Sequence, residues 1–229
     1  MSQWFANMAD QFTRCFIAKD RYLLLLSGIG VTIKVSLLAV ILGIIIGFLI
    51  AICNLSKNKI LKAIGTVYND VIRGTPSVTQ LMIIYFVIFA SVHWEKWIIA
   101  AIAFGINSGA YVSEIIRAGI LSIDKGQTEA GRSLGLSSRQ TMMSIVLPQA
   151  IKNIFPTLCN EFIVLIKETA IVGYVGLMDI QKAGDFIKSS TFLAFMPLVG
   201  TAIIYYVLIK LLTLVLNRIE DAMRKSDIR

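Results

Sequence analysis

Glu161, Lys167 and Glu168 stand inside an otherwise apolar run that reaches from Ile151 to Tyr174. Charged side chains in so apolar a setting are costly to keep and point to binding or transport. Glu161 and Glu168 are seven residues apart, so on a helix they share one face about 10 Å apart along the axis. Two carboxylates arranged in that way can hold the amino groups of a cationic or zwitterionic small molecule. The competing reading is structural, with Glu168 paired to Lys167 or to a neighbouring helix. Thr75, Ser77, Asn107 and Ser108 lie at interruptions of two other apolar runs, and their hydroxyl and amide groups complete the candidate lining.

The residue types for catalysis are missing. The single histidine, His93, sits in "SVHWEKW" beside Trp94 and Trp97, the pattern of a membrane-water belt. Cys15, Cys53 and Cys159 stand singly, without metal-ligand spacing, and read as small apolar fillers. Neither a paired nucleophile and base nor a zinc signature is present, so no enzyme and no bound metal or cofactor are expected.

The elements that must position these acids are membrane helices. Of 229 residues 56% are hydrophobic and 16% charged, outside the range of soluble domains. Apolar runs predict an all-α membrane protein with five transmembrane helices, at about 22–53, 76–91, 97–123, 149–173 and 192–217, in a single domain over 1–229. The first 21 residues lack the basic start, short apolar core and cleavage site of a signal peptide, so the first span should be retained. The net charge of +8 does not read as nucleic-acid binding, because of how the charges are placed. With the N-terminus outside, the inner segments hold thirteen basic residues: Lys57, Lys59, Lys62, Arg73, Arg117, Lys125, Arg132, Arg139, Lys152, Arg218, Arg224, Lys225 and Arg229. The outer segments hold six, namely Arg14, Lys19, Arg21, Lys96, Lys182 and Lys188, which favours an outer N-terminus and a cytoplasmic C-terminus.

Within the spans, Gly28, Gly43 and Gly47 mark the first as a packing helix, and its Lys34 is expected to reach water or pair with a carboxylate. After Cys53, Ile60, Leu61, Ile64, Val67, Tyr68, Val71 and Ile72 form a helical stripe among charges, which predicts a helix at the inner membrane surface. Pro76 forces Thr75 out of helical geometry before the second span begins. Such a break suits the lining of a cavity, where freed backbone groups find partners. In the third span, Glu114 and Arg117 are spaced to form an ion pair.

Between the third and fourth spans lies "EAGRSLGLSSRQTMMSIVLPQA", Glu129 to Ala150. A short helix over Gln127–Leu134 is expected to end at Gly135, and Ser137 with Gln140 forms a capping box that opens a second helix toward Leu147. The loop over about 124–147 faces the cytoplasm by charge count and is too ordered to be a plain connector. It reads as a docking knob.

At these residues the chain resembles the inner-membrane permease subunits of binding-protein-dependent ABC transporters. Their loop signature is Glu-Ala-Ala, a glycine four residues on, and Ile-x-Leu-Pro ten residues beyond that glycine. Glu129, Ala130, Gly131, Gly135, Ile145, Leu147 and Pro148 fit this spacing, with Gly131 in place of the second alanine. That glycine weakens the short helix by about 1 kcal/mol, and its small size would keep the docking surface flush. "GIGVTIKVS", "VIRGTPSVTQL", "SGAYVSEIIRAGILSIDKGQTEAGRSLGLS" and "LPQAIKNIFPTLCNEFIVLIKETAIVG" narrow the resemblance to the polar amino acid uptake family, with a MetI-like fold.

The resemblance implies a bacterial cytoplasmic-membrane importer that works by alternating access. Two cytoplasmic ATPase subunits would dock on Glu129, Ala130, Gly131, Gly135 and Leu136. Those partners would bind ATP and Mg, since the chain lacks a phosphate-binding Gly-x-x-x-x-Gly-Lys-Ser/Thr. A second permease subunit, identical or a sibling, and an extracytoplasmic solute-binding protein complete the assembly in the lipid. The family's span-4 acids contact substrate at the positions of Glu161 and Glu168, where the second is more often aspartate. Two acids lean toward a basic amino acid; cystine or glutamine is the alternative within the family, and a non-transporting membrane scaffold the alternative outside it.

Overall fold

The protein is described by a computed structural model covering residues 2–225; Met1 and residues 226–229, including Arg229 of the inner charge count, lie outside the described residues. Every regular element among them is helical. In chain order these are α1 (Ser2–Phe12), α2 (Tyr22–Leu55), α3 (Lys59–Arg73), α4 (Ser77–Ile83), α5 (Lys96–Leu121), α6 (Lys125–Ser133), α7 (Ser138–Thr141), α8 (Leu147–Glu168), α9 (Ile180–Thr191) and α10 (Phe195–Lys225). Two of them, α1 and α9, have no counterpart among the helices expected from the sequence. Wide five-residue turns continue α4 over Ile84–Ile88 and join α7 to α8 over Met142–Val146, and a tighter 3₁₀ segment, Thr169–Val175, follows α8.

The chain divides into two compact units. The first comprises Met1–Leu38, Ser77–Phe104 and Val164–Leu212; the second comprises Ala39–Pro76, Gly105–Ile163 and Thr213–Arg229.

Helix composition carries the membrane signature. Among the described residues, α2, α5 and the Phe195–Met223 part of α10 are long and apolar enough to cross a bilayer. The bent pair α3 with Ser77–Ile88 makes a fourth if counted as one broken span. In α8 the apolar run is interrupted by Lys152, Asn153, Asn160 and Glu161, so it falls outside that set. Of the five expected spans, the one outside that set is the fourth, at about 149–173, which carries the candidate acids.

In the first unit, Cys15, Phe16, Leu25, Ala183 and Ile187 form a buried cluster. Asp179 organises the start of α9. It is fully buried and accepts from the Gln181 and Lys182 backbone N–H groups at 3.2 and 2.9 Å and from the Tyr205 hydroxyl at 3.1 Å. Burial pushes its carboxyl above the usual carboxylate range, while those hydrogen bonds pull the other way. Gly28 of α2 must be small here, because a Cβ on it would come within 2.7 Å of the Asp179 backbone. That is a specific reason for one of the packing glycines in the sequence.

In the second unit, a Cβ at Gly47 would meet Val112 at 2.6 Å, and one at Gly105 would meet Leu42 at 2.6 Å, so α2 and α5 approach more closely than larger residues permit. The Tyr68 hydroxyl of α3 donates to the Ile106 carbonyl at 2.6 Å. The predicted Glu114 to Arg117 pair is present at 2.8 Å. It belongs to a wider network, in which Asn69 donates to the other Glu114 oxygen at 2.9 Å and Ser113 donates to Asn69 at 3.0 Å.

Candidate functional site

Glu161 lies on α8, half-buried, and accepts a hydrogen bond from the Ser108 hydroxyl of α5 at 3.0 Å. Ser108 is fully buried and Asn107 beside it is 4% exposed. The serine reaches the acid because α2 leaves room for it: a Cβ on Gly43 would sit 3.0 Å from the Ser108 hydroxyl oxygen. Two of the predicted lining residues, fifty-three positions apart in sequence, are thus brought into direct contact.

The other four candidates stand differently. Thr75 is exposed in the break after α3, and its hydroxyl donates back to the Val71 carbonyl at 2.8 Å. Asn107 is buried next to Ser108. Ser77 opens α4 and Glu168 closes α8, and both belong to the first unit. The break itself is as predicted: α3 ends where the Gly74 N–H donates to the Asp70 carbonyl at 2.9 Å, and α4 starts after Pro76.

The loop after α5 also folds as its punctuation predicts, with its first helix at Lys125–Ser133 rather than Gln127–Leu134 because Asp124 caps it through the Gly126 N–H at 2.7 Å. Gly135 has φ +85°, a conformation natural to glycine, and ends the helix. Ser137 and Gln140 form the reciprocal capping box. Glu129, Ala130 and Gly135 are exposed, and Leu136 is half-buried. The reading of Gly131 as a flush docking surface is corrected: it is buried, and a Cβ on it would come within 2.8 Å of Thr141 and of Ile145. Its smallness serves the inner face, which seats α6 on the segment leading into α8. Sequence reasoning passed over Leu134, whose side chain is 81% exposed at the end of α6; its apolar character beside Gly135 was the available signal.

Residues 39–225 match the family described as binding-protein-dependent transport system inner membrane component. The chain belongs to that family. Its members are transport permeases rather than enzymes, with ATP hydrolysis in partner subunits. The permease is 44% identical to the putative glutamine transport system permease protein of Rickettsia typhi over 89% of this chain and 94% of the relative. It is 40% identical to the arginine transport system permease protein of Bacillus subtilis, with the same two coverages. A crystal structure of an amino acid ABC transporter with histidines superposes with a TM-score of 0.83 at 40% identity, covering 90% of this chain and 98% of that one. An inward-facing methionine ABC transporter shares the fold, with a TM-score of 0.77 at 18% identity over 90% of the permease and 99% of its own chain. Among the described residues of the permease, no group of three or more His, Cys, Asp or Glu side chains is placed to hold a metal.

Proposed function

We propose that this permease subunit of an amino acid ABC importer passes its substrate along Glu161, with Ser108 orienting the carboxylate and Asn107 and Thr75 contributing to the lining. The observation that carries this reading is the Ser108 to Glu161 hydrogen bond, which aims a half-buried carboxyl among apolar helices. A substrate ammonium or guanidinium is the natural visitor to such a group. Relatives named for glutamine and for arginine both carry an α-amino group in their cargo, and Glu161 serves either. Two acids favour a basic amino acid, with glutamine or cystine as the alternative.

In this reading the single permease domain has five spans: α2, α4 with its continuation to Ile88, α5, α8 and α10, with α3 at the inner membrane surface. The N-terminus is outside and the C-terminus cytoplasmic, in a bacterial inner membrane, as the basic-residue asymmetry favours. Helix α6 couples the permease to an ATPase subunit through Glu129, Ala130, Gly135 and Leu136, with Gly131 bracing the helix from behind. ATP and Mg are bound by those partners. A second permease subunit and an extracytoplasmic solute-binding protein complete the importer.

The test is uptake of radiolabelled arginine and glutamine by the whole transporter in proteoliposomes, with binding protein supplied. Glu161→Gln keeps the volume and removes the charge; uptake should fall at least about tenfold, the equivalent of about 1.4 kcal/mol. Unchanged uptake by a fully assembled Glu161→Gln complex removes this residue from the substrate path. In the same preparation Gly135→Trp should abolish co-purification of the ATPase, and wild-type levels of bound ATPase would reject α6 as the coupling element.

A further inference from the structure

Below the Ser108 to Glu161 contact, a groove of about 540 Å³ runs between α5 and α8 in the second unit. Glu114, Ser122, Asn153 and Thr157 supply its polar lining, over a floor that includes Ala118 and Gly119. The volume suits one small ligand. A Cβ on Gly119 would collide with the Ile154 side chain, so the two helices touch beneath the groove and give it a firm base.

The groove continues the candidate site in register. On α8, Asn153, Thr157 and Glu161 are spaced four apart and share a face, about 12 Å from first to last. Ser122, just past the end of α5, is fourteen residues from Ser108, about four helical turns. Hydrogen bonds join this part of the chain to α8 from Ser108 to Glu161 and, within the groove lining, from Asn153 to Ser122 at 2.9 Å. Asn153 and Thr157 are exposed, while Ile154, Leu165 and Ile166 of the same helix are buried. Lipid tails offer amide and hydroxyl groups no partners, so an exposed polar face on a spanning helix belongs to water or to a polar passenger.

Glu114 is the charged side chain of the lining, and its charge is offset from outside the groove. Arg117 donates twice to one Glu114 oxygen, at 3.1 and 2.8 Å, and Asn69 donates to the other. A lone carboxylate would hold a cation firmly. A carboxylate already matched by a guanidinium attracts a substrate ammonium weakly, which suits a passenger that must bind and then leave. We propose that this groove is a second, transient amino-acid site, a release station between Glu161 and the end of α8 that carries Asn153. Thr157 and Asn153 offer hydrogen bonds to the passing ammonium and carboxylate, and Glu114, its charge offset by Arg117, offers the ammonium a weak attraction. The proposal rests on Glu161 as the substrate acid and adds the route by which substrate leaves it.

The test uses the assembled transporter with Cys15, Cys53 and Cys159 replaced by alanine, a background first shown to retain uptake. Thr157→Cys should react with a charged, water-soluble methanethiosulfonate, and saturating arginine or glutamine should slow that reaction at least about threefold. Thr157→Val keeps the shape without the hydroxyl, and turnover should fall about threefold with the half-saturating concentration of loaded binding protein unchanged. Reaction with an apolar maleimide alone would place Thr157 in lipid, and no reaction with either reagent would place it under another subunit. A reactive thiol that neither amino acid protects would make the groove a wet gap without a binding role. Each of these three results overturns the proposal. Glu161→Gln, assayed by uptake in the same background, reports separately on the acid, so failure of that reading is told apart from failure of the groove.

Discussion

Asp179 and Glu161 are both carboxylates set among apolar helices, and their surroundings are opposite in kind. Asp179 is sealed, its oxygens receiving two backbone N–H groups at the start of its own helix and the hydroxyl of Tyr205. Glu161 is half-buried and accepts from the Ser108 hydroxyl of another helix. The contrast teaches how to sort buried acids: donors fixed by the fold make a carboxylate part of the scaffold, whereas open space beside it leaves work for a mobile cation. Glu114 stands between the two, matched to Arg117 yet facing a groove.

The largest effect that tests this contrast should come from Asp179→Ala. It orphans the first N–H groups of α9 and the Tyr205 hydroxyl at once, and should lower stability by about 3 kcal/mol, read as a drop in the thermal midpoint of the purified complex. Uptake per folded complex should hold; an unchanged midpoint with collapsed uptake would exchange the roles of the two acids. Tyr205→Phe removes one of the three donors and should cost about 1 kcal/mol in the same measurement. If it costs as much as Asp179→Ala, the backbone cap contributes nothing and the tyrosine alone seats α9. The smallest change is expected from Ser108→Ala, which leaves Glu161 charged but less well aimed; uptake should fall about threefold while thermal stability stays within about 0.5 kcal/mol. A loss of stability larger than the loss of uptake would make that serine a packing residue.

How far the sequence could be read follows the range of the interactions. The loop was legible because its signals are local: Gly135, and Ser137 with Gln140, act within four residues of the backbone groups they satisfy; Asp124, as local a signal, was passed over, and the helix start was misplaced by two residues. Glu161 and the Glu114 to Arg117 pair were legible because charge inside an apolar run, or three residues apart on a helix, states its own problem. Asn69 as a partner of Glu114 was not, since forty-five residues separate them and nothing near Asn69 announces the meeting. Asp179 was not singled out in the sequence; its burial depends on Gly28 and Tyr205, distant in the chain. Helix α9 was missed for the same reason, because its apolar positions Ile180, Ala183 and Ile187 are too sparse to register as a span and make sense only against Cys15, Phe16 and Leu25. Gly131 was found by its spacing and misread in its direction, which a motif does not encode.

The seat of α6 has a mechanical meaning. Gly131 lets α6 lie directly on Thr141 and Ile145, and the chain from there runs through the wide turn into α8 without a loop. From Leu147 to Glu161 is one helix of about 21 Å, with Pro156 inside it. Under the proposed coupling, a push on α6 needs no relay of side chains to reach the acid: the helix is loaded at one end, carries Glu161 near the other, and has its weak point at Pro156. Replacing the side chain of Ile145 by alanine would leave play in the joint, so that the same push moves Glu161 less.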